Sequence, residues 1–221
     1  MTLKHLLTTI ICLTFITASA SLSSASGGKG TKFTKEELSL IHSADSIMRV
    51  LTIEGCLDLA VLRAPSKSLS NRALHSEDFS RLTELMLATV NHPSQNGVGI
   101  AGPQVGLNRR VVAVQRFDKP AAANGEHPFE VYPNIRIVWA SDTKSAGPEG
   151  CLSVPGKAGI VMRSTEIIIE YSQPDPKKKR RFITVQEKVS GYTAVIFQHE
   201  IDHLDGFLYT DRATEIVSYN Q

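Results

Sequence analysis

The sequence contains little cysteine and little net charge, and both shortages restrict what the protein can do. Three of the 221 residues are cysteine; if Cys12 is removed with a leader, the only pair left for a disulfide is Cys56 and Cys151. The formal net charge of +2 gives no indication of a nucleic-acid partner. The one dense basic run, KKKRR at 177–181, follows QPDP and precedes a strand-like stretch, which predicts a solvated hairpin loop.

The N-terminal segment lacks acidic residues before Glu36 and arginine before Arg49. Lys4 precedes an apolar run at 6–20, LLTTIICLTFITASA, which ends in small residues and resembles a secretory signal peptide. The run has 15 residues, fewer than the roughly 20 that a membrane-spanning helix needs. Residues 1–20 are therefore predicted to be a signal peptide or, alternatively, an organelle transit peptide. The mature protein is expected to be exported, periplasmic or secreted, without a membrane anchor, or to reside in an organelle.

Three further parts follow the predicted leader. Residues 21–33 are rich in small residues, with a Gly/Ser-rich stretch at 21–30, and predict a flexible linker. Residues 34–52 predict an accessory helix, because Thr34 and Glu37 form a capping-box pattern and apolar residues recur at roughly helical spacing. Residues 53–221 contain no internal repeat and no long linker, so they are predicted to form one domain.

Within that domain the pattern predicts a helix that starts at Asp78, then strands, then a final helix over 191–204. The predicted strands are dense in β-branched residues and lie at 109–117, 129–140, 159–171 and 181–189. This order predicts an α+β fold in which mostly antiparallel strands surround a central metal-binding HExxH helix.

The stretch QHEIDHLDG at 198–206 carries the strongest chemical signal. His199 and His203 are four residues apart, so on a helix both rings lie on one side and can bind one divalent cation. Glu200 is rotated by about 100 degrees from His199, which directs its carboxylate toward a water at the cation rather than toward the cation itself. The pattern therefore predicts a catalytic metal site.

A third protein ligand is needed, because catalytic metal sites of this kind usually have three. A histidine three residues after Gly206 would continue one peptidase pattern, but that position is Tyr209. A downstream glutamate would serve another peptidase class, but Glu215 follows His203 too closely and lies near the C-terminus. The ligand is therefore expected upstream. The candidates are Cys56, Cys151, His42, His75, His92 and His127. Cys151 is favoured by its glycine-flanked context, EGCLSVPG.

Three stretches occur in an order that resembles the three signature motifs of the peptide deformylases. They are GVGIAGPQ at 97–104, EGCLS at 149–153 and QHEIDH at 198–203. Together with the upstream stretch LAVLRAPSKSL, the resemblance covers residues 56–212, nearly all of the globular part. It implies a metal-dependent hydrolase that removes the formyl group from N-formylmethionyl peptides, with a deformylase-like catalytic domain at 53–221.

The resemblance also implies roles for individual residues. The expected ligands of one divalent metal ion are Cys151, His199 and His203. Fe(II) is the expected metal, with Zn(II) or Ni(II) as alternatives. Glu200 is expected to activate water and to pass its proton to the leaving amine, while the Gln104 side chain and the Leu152 N–H polarise the formyl oxygen.

An extended peptide substrate needs backbone that it can approach closely, which Gly97 and Gly99 would provide. An apolar pocket is expected for the methionine side chain. The predicted substrate contacts are Gly97, Gly99, Ile100, Gly150, Leu152, Tyr192 and Val195. Glu149 and Arg163 are candidates for supporting the site, with an ordinary surface ion pair as the alternative.

One departure from the family pattern is Ala101-Gly102, where the family usually has two alanines. Glycine in place of alanine predicts a loop that is looser by ~1 kcal/mol and an activity that is reduced rather than abolished. Two other functions stay open: a metallopeptidase that cleaves internal peptide bonds through a different third ligand, and a non-catalytic peptide-binding protein of the same fold. The protein is predicted to be a monomer that binds neither nucleic acid nor membrane.

Overall fold

A computed structural model describes residues 30–218 of the chain. The predicted leader at 1–20 lies outside these residues, as does most of the predicted linker at 21–33. The end of that linker is attached to the domain: the Thr31 N–H donates to the Ser68 carbonyl at 2.9 Å, and the Thr31 carbonyl accepts from the Ser70 N–H at 3.0 Å. The chain at Thr31 is therefore part of the fold and not a flexible linker.

The described part of the chain contains five α-helices and nine strands. The helices are α1 (Lys35–Ser43), α2 (Cys56–Leu62), α3 (Asn71–Leu74), α4 (Glu77–Val90) and α5 (Gly191–Leu204). The strands are β1 (Gly99–Ala101), β2 (Val111–Gln115), β3 (Phe129–Pro133), β4 (Arg136–Ala140), β5 (Lys144–Cys151), β6 (Val154–Ser164), β7 (Glu166–Pro174), β8 (Phe182–Ser190) and β9 (Glu215–Ser218). Short 3-10 turns lie at Gly102–Val105 and Tyr209–Asp211.

The strands form three sheets of three strands each, with the orders β1-β2-β3, β4-β7-β8 and β5-β6-β9. Every neighbouring pair in these sheets is antiparallel. The predicted combination of helices with mostly antiparallel strands is therefore confirmed. Within residues 30–218, every helix is too short or too polar to traverse a bilayer.

Strand β2 contributes to both large core clusters because successive side chains of a strand point to opposite faces. Val112 and Val114 pack in the cluster that also contains the buried apolar side chains of α5. Val111 and Ala113 pack in the cluster formed with α1 and α4. The β1-β2-β3 sheet therefore lies between α5 on one face and the N-terminal helices on the other.

The accessory helix predicted at 34–52 is shorter than expected. Its capping box is present, because the Thr34 hydroxyl accepts from the Glu37 N–H and the Glu37 carboxylate accepts from the Thr34 N–H. The helix nevertheless ends at Ser43, and residues 44–52 follow an irregular path. The prediction was wrong about this second half.

The irregular path arises because the backbone after α1 bonds to other elements instead of to itself. The Met48 N–H donates to the Thr89 hydroxyl at 2.8 Å, and the Leu51 N–H donates to the Gln104 carbonyl at 2.8 Å. Both Met48 and Leu51 are buried. Tertiary contacts therefore override the helical spacing of the apolar residues. Residues 30–53 are called the N-terminal arm below.

Two predicted strands are each divided in two. The stretch 129–140 bends at Asn134, whose φ of 57° separates β3 from β4. The stretch 159–171 lies within β6 and β7, which separate at Thr165. Strand β5 was missed because KSAGPEGC has no β-branched residue; its pairing with β6 holds it in place.

Candidate active site

A cleft of about 780 Å³ runs along α5. Most of its lining comes from four parts of the chain: the N-terminal arm, the stretch that leads into β1, the end of β5 with the turn after it, and α5 itself. Gln104 and Pro155 complete the lining. The three stretches that resemble signature motifs all contribute lining residues. The fold therefore brings together segments that are far apart in sequence.

Cys151, His199 and His203 converge in this cleft, with their potential ligand atoms all within 4.8 Å of one another. The two histidines come from successive turns of α5, and the Cys151 Sγ lies 3.2 Å from the His203 Nε2. Cys151 comes from the end of β5, where the register with β6 shifts between Gly150 and Cys151. Such an irregularity re-aims a side chain out of the regular ladder. The sulfur and imidazole donors form a set that suits a divalent transition metal.

Glu149 fixes the orientation of the His199 ring. The Glu149 carboxylate accepts from the His199 Nδ1 at 2.8 Å, which leaves Nε2 as the ring atom available to a metal. Glu149 in turn receives two hydrogen bonds from Arg163, at 2.7 and 2.9 Å. Arg163 also donates to Asp202 of α5 at 2.6 Å. Glu149 and Arg163 are buried, so the alternative of an ordinary surface ion pair is wrong.

The charged groups of the pocket favour a positive charge between two anions, the Cys151 thiolate and the Glu149 carboxylate. Burial opposes ionisation of Cys151, yet His203 and His199 hold the pKa of its thiol well below the ordinary value. Burial also acts to raise the pKa of Glu149, but Arg163 and His199 lower it to about 2. Against burial, Cys151 and Glu149 raise the pKa of His199 well above its usual range. A divalent cation on the same nitrogen and sulfur atoms would supply the positive charge that this pocket favours.

Glu200 is buried beside these donors, and its Oε2 atom has no hydrogen-bond partner among the described residues. Burial raises the pKa of Glu200 to about 7, although His199 and His203 oppose the rise. A Cβ atom at Gly99 would lie 2.5 Å from the Glu200 Oε1, so only glycine leaves room for this carboxyl. The result is a confined group that can take up or release a proton near neutral pH.

Gln104 places an amide donor next to Cys151. Its Oε1 accepts from the Ala101 N–H at 2.8 Å, which fixes the orientation of the amide. The Nε2 then lies 3.6 Å from the Cys151 Sγ and 3.3 Å from the Ser153 hydroxyl. Leu152 lies between these two residues and lines the cleft. The arrangement presents a hydrogen-bond donor beside the potential ligand atoms.

Gly102 does not loosen the segment that carries Gln104. It is buried, and a Cβ atom there would lie 2.6 Å from the Arg109 carbonyl oxygen and 2.7 Å from that of Leu107. Contacts this short require the backbone to move. The predicted loosening was wrong, because two neighbouring carbonyls occupy the space that an alanine methyl would need.

Most of the predicted substrate contacts line the cleft: Gly97, Gly99, Gly150, Leu152, Tyr192 and Val195. Ile100 does not. It is fully buried in the core cluster with α4, because alternation along β1 directs it away from the side on which Gly99 meets Glu200. Val98 lines the cleft and was missed; it precedes β1, and alternation along that strand would have placed it on the same side as Ile100. The arm residues that line the cleft were also missed, because nothing in their local pattern indicates where the arm packs.

A family model, curated relatives and solved structures all match this chain to peptide deformylases. The family model described as polypeptide deformylase matches residues 50–218. A curated peptide deformylase from Leptospira biflexa is 34% identical over 165 residues, which cover 73% of this chain and 88% of the relative. A class I type b peptide deformylase from Acinetobacter baumannii, solved with bound Met-Ala-Ser, has 30% identity and a TM-score of 0.63 over 75% of this chain and 98% of that one. The crystal structure of the Thermotoga maritima peptide deformylase has 28% identity and a TM-score of 0.63, covering 77% and 100%.

These relatives contradict the predicted localisation. Bacterial peptide deformylases are cytoplasmic enzymes associated with ribosomes, and the relatives named above are bacterial. The prediction of export, with an organelle as its alternative, is therefore wrong. The signal peptide predicted at 1–20 lies outside the described residues and has no support from the structure.

Proposed function

The chain belongs to the peptide deformylase family, metal-dependent hydrolases that remove the N-formyl group from nascent peptides, and we propose that the cleft along α5 is where it carries out this reaction. One observation carries the proposal: a buried carboxyl with a pKa near neutrality, Glu200, lies beside a convergent set of sulfur and imidazole donors. The family match at 50–218 supports a catalytic domain at 53–221.

The proposed metal ligands are Cys151, His199 and His203. In this assignment α5 is the central metal-binding helix of the fold, and Glu149 keeps the His199 ring in the orientation that binds metal. Fe(II) is the proposed metal, with Zn(II) or Ni(II) as alternatives, because one thiolate and two imidazoles suit all three. When bound, the cation supplies Lewis-acid activation of water and of the formyl carbonyl.

The residues around the donors would move protons and stabilise charge. Glu200 takes a proton from the attacking water and delivers it to the leaving amine, for which a pKa of about 7 is well suited. The Gln104 Nε2 and the Leu152 N–H donate to the formyl oxygen as negative charge develops on it. The fixed Gln104 amide needs no reorientation during the reaction, which favours stabilisation of the transition state.

The proposed substrate is an N-formylmethionyl peptide that lies in extended form along β1. Among residues 30–218 this strand pairs only with β2, at the edge of its sheet, so its other edge is available to a peptide backbone. Glycine at 97 and 99 allows close approach. The Acinetobacter baumannii relative was solved with Met-Ala-Ser, the peptide that deformylation of formyl-Met-Ala-Ser would release. Leu152, Val195 and Tyr192 would contact the methionine side chain.

The test is formate release from formyl-Met-Ala-Ser by the full chain, purified without oxygen and loaded with Fe(II). Glu200→Gln should lower kcat by about 10² or more, because it removes the proton-transfer group, while metal content stays the same. Gly99→Ala should also lower kcat, because its methyl displaces the same carboxyl. Formate release by Glu200→Gln at the parent's rate would overturn the assignment of Glu200.

The two alternative functions gain no support from the relatives, which are peptide deformylases. An endopeptidase would cleave unformylated casein in the same assay, and we expect no cleavage. The prediction of a monomer that binds neither nucleic acid nor membrane stays part of the proposal. Size-exclusion chromatography with light scattering would check the oligomeric state.

A further inference from the structure

The N-terminal arm forms part of the cleft wall. Ile47, Met48 and Arg49 line the cleft together with Gly99 of β1 and Gly97, which precedes that strand. All three arm residues precede residue 50, where the match to the family model begins. This chain therefore adds side chains to the cleft from outside the matched region.

The arm is held firmly where it meets the domain. Arg109 is buried and donates to Glu37 at 2.6 and 2.7 Å and to the Lys32 carbonyl at 2.6 Å. Arg81 donates to the Ile41 carbonyl at 3.0 Å and to the Ala44 carbonyl at 2.6 Å, which holds the end of α1. Contacts this numerous fix the arm before any peptide enters, so its cleft-facing residues are preorganised.

Arg49 is the one exposed formal charge among the described residues that line the cleft. Its side chain is 71% exposed, whereas the two acidic lining residues, Glu149 and Glu200, are buried. Away from the proposed metal donors, a peptide in this cleft would therefore meet one exposed charged side chain among the described residues, and its charge is positive. Such a charge favours a carboxylate over a neutral group of the same shape.

Asp58 holds the Arg49 guanidinium without using all of its donors. The two nitrogens Nη1 and Nη2 donate to the two Asp58 oxygens at 2.7 Å each. A guanidinium has five N–H groups, so three stay available to a further acceptor. Asp58 also accepts from the Thr52 N–H at 3.3 Å, which ties this carboxylate to the arm. The pair therefore presents an oriented cation at the cleft wall.

We propose that Arg49 is a specificity-determining residue that binds a carboxylate of the peptide substrate beyond the formylmethionine. The proposal rests on the deformylase function of the cleft and extends it by naming a substrate class, acidic formyl peptides. The carboxylate can come from an Asp or Glu side chain or from the free C-terminus of a short peptide.

The test compares formyl-Met-Ala-Glu-amide with formyl-Met-Ala-Gln-amide, which differ only in the charged group. A third peptide, formyl-Met-Ala-Gln with a free C-terminus, separates a side-chain carboxylate from a terminal one. The parent enzyme should favour the charged peptides by about threefold to fivefold in kcat/KM, through KM, because an exposed ion pair is weak and screened by salt. Arg49→Gln should remove this preference, and Arg49→Lys should retain part of it.

The matched control is Arg72→Gln, which removes an exposed arginine of α3 that does not line the cleft. It should leave the preference intact. Equal kcat/KM for charged and neutral peptides in the parent, or loss of preference in Arg72→Gln, would overturn the proposal.

Calorimetric titration with the deformylated peptides Met-Ala-Glu-amide and Met-Ala-Gln-amide gives a readout that does not depend on catalysis. Tighter binding of the acidic peptide to the parent and not to Arg49→Gln supports the role of Arg49. If that difference appears and no peptide is deformylated, the proposed function fails and the role of Arg49 stands. If all three formyl peptides are deformylated and bound alike, the proposed function stands and the role of Arg49 fails.

Discussion

Two buried arginines hold clusters of carboxylates in this protein, but only one of the clusters reaches the proposed metal donors. The Arg163 side chain is 5% exposed and binds Glu149 and Asp202, whose side chains are 5% and 13% exposed. The Arg116 side chain is 1% exposed, yet its partners Asp118, Glu130 and Glu187 are 28–35% exposed. The first cluster is thus closed to water and the second is open on one side.

The two clusters also differ in what lies on their far side. Beyond Arg163, Glu149 contacts His199, so any shift of the arginine is passed to a proposed metal ligand. Beyond Arg116, the contacts are the rings of Tyr132 and Phe197, with the guanidinium 5.8 and 5.7 Å from their centres. A buried arginine can therefore have either of two roles, depending on what its partners contact. Arg163 orients a reactive group through Glu149, whereas Arg116 joins β2, β3, β8 and α5.

The largest expected effect is on stability, from Arg116→Met. Removing the guanidinium leaves Asp118 and Glu187 without the cation that they bind, while Lys119 still pairs with Glu130. The free energy of unfolding should therefore fall by about 3 kcal/mol. Formate release by the metal-loaded variant should stay within about twofold of the parent, because no contact of Arg116 reaches Glu200 or the metal donors. Denaturant unfolding and the formate assay measure the two quantities.

A control for this prediction is Arg136→Met, which removes a half-exposed arginine paired with Glu170 at the surface. It should lower the free energy of unfolding by less than about 1 kcal/mol. A loss of catalysis in Arg116→Met without a loss of stability would erase the distinction between the two clusters.

The second effect is on metal affinity, from Glu149→Gln. The substitution keeps the size of the side chain but removes the charge that orients His199, so metal affinity should fall by about 10- to 100-fold. Competition with a chelator measures this affinity directly. Arg116→Met serves as the comparison protein, since it should bind metal like the parent. Unchanged affinity in Glu149→Gln would show that the Arg163 cluster is structural only.

The convergence of Cys151, His199 and His203 was predictable in part because some of the information for it is local. The spacing of His199 and His203 on one helix, and the glycine-flanked context of Cys151, can be read without knowing how the chain folds. The Arg163 cluster could not be read in this way. Arg163 meets Glu149 only through the pairing of β5 with β6, and β5 was not recognised because its residues have low strand propensity.

The errors at Ile100, Gly102 and the arm have related causes. Ile100 was placed in the substrate pocket because it lies within a motif, but strand alternation buries it. Gly102 was read as a missing methyl, whereas the carbonyls of Leu107 and Arg109 exclude that methyl. The arm residues 44–52 have helical spacing, yet Thr89 and Gln104 take their backbone hydrogen bonds. At Gly102 and in the arm, contacts that form only in the folded chain decide the outcome, whereas the burial of Ile100 follows from local alternation.

Within the Arg163 cluster, Asp202 and Glu149 should differ in their effect on metal affinity. Asp202 binds Arg163 at 2.6 Å and also Arg212 at 2.6 and 2.7 Å, but it does not contact His199. Asp202→Asn should therefore lower the free energy of unfolding by about 1 kcal/mol and change metal affinity by less than about threefold. Equal losses of affinity in Asp202→Asn and Glu149→Gln would mean that the whole cluster, and not Glu149 alone, orients the histidine.

The smallest expected effect is on the way the free energy of unfolding changes at acid pH. It concerns the Arg116 cluster, which is open to water on one side. Hydrogen bonds from Arg116 lower the pKa of Asp118 below its ordinary value of 3.8. A carboxyl whose pKa is lowered by folding contributes stability above its ordinary pKa and loses it as the pH falls through the lowered value. The parent should therefore lose this contribution below pH 3.8, whereas Arg116→Met has little of it to lose.

The difference in unfolding free energy between parent and Arg116→Met should consequently shrink as the pH falls from about 5.5 to about 2.5. The change should be less than about 1 kcal/mol, because water screens a carboxylate that is 28% exposed. Glu149 titrates alike in both proteins and cancels from the difference. A gap that stays constant with pH would show that Arg116 stabilises the protein through its ring contacts with Tyr132 and Phe197 and not through its carboxylates.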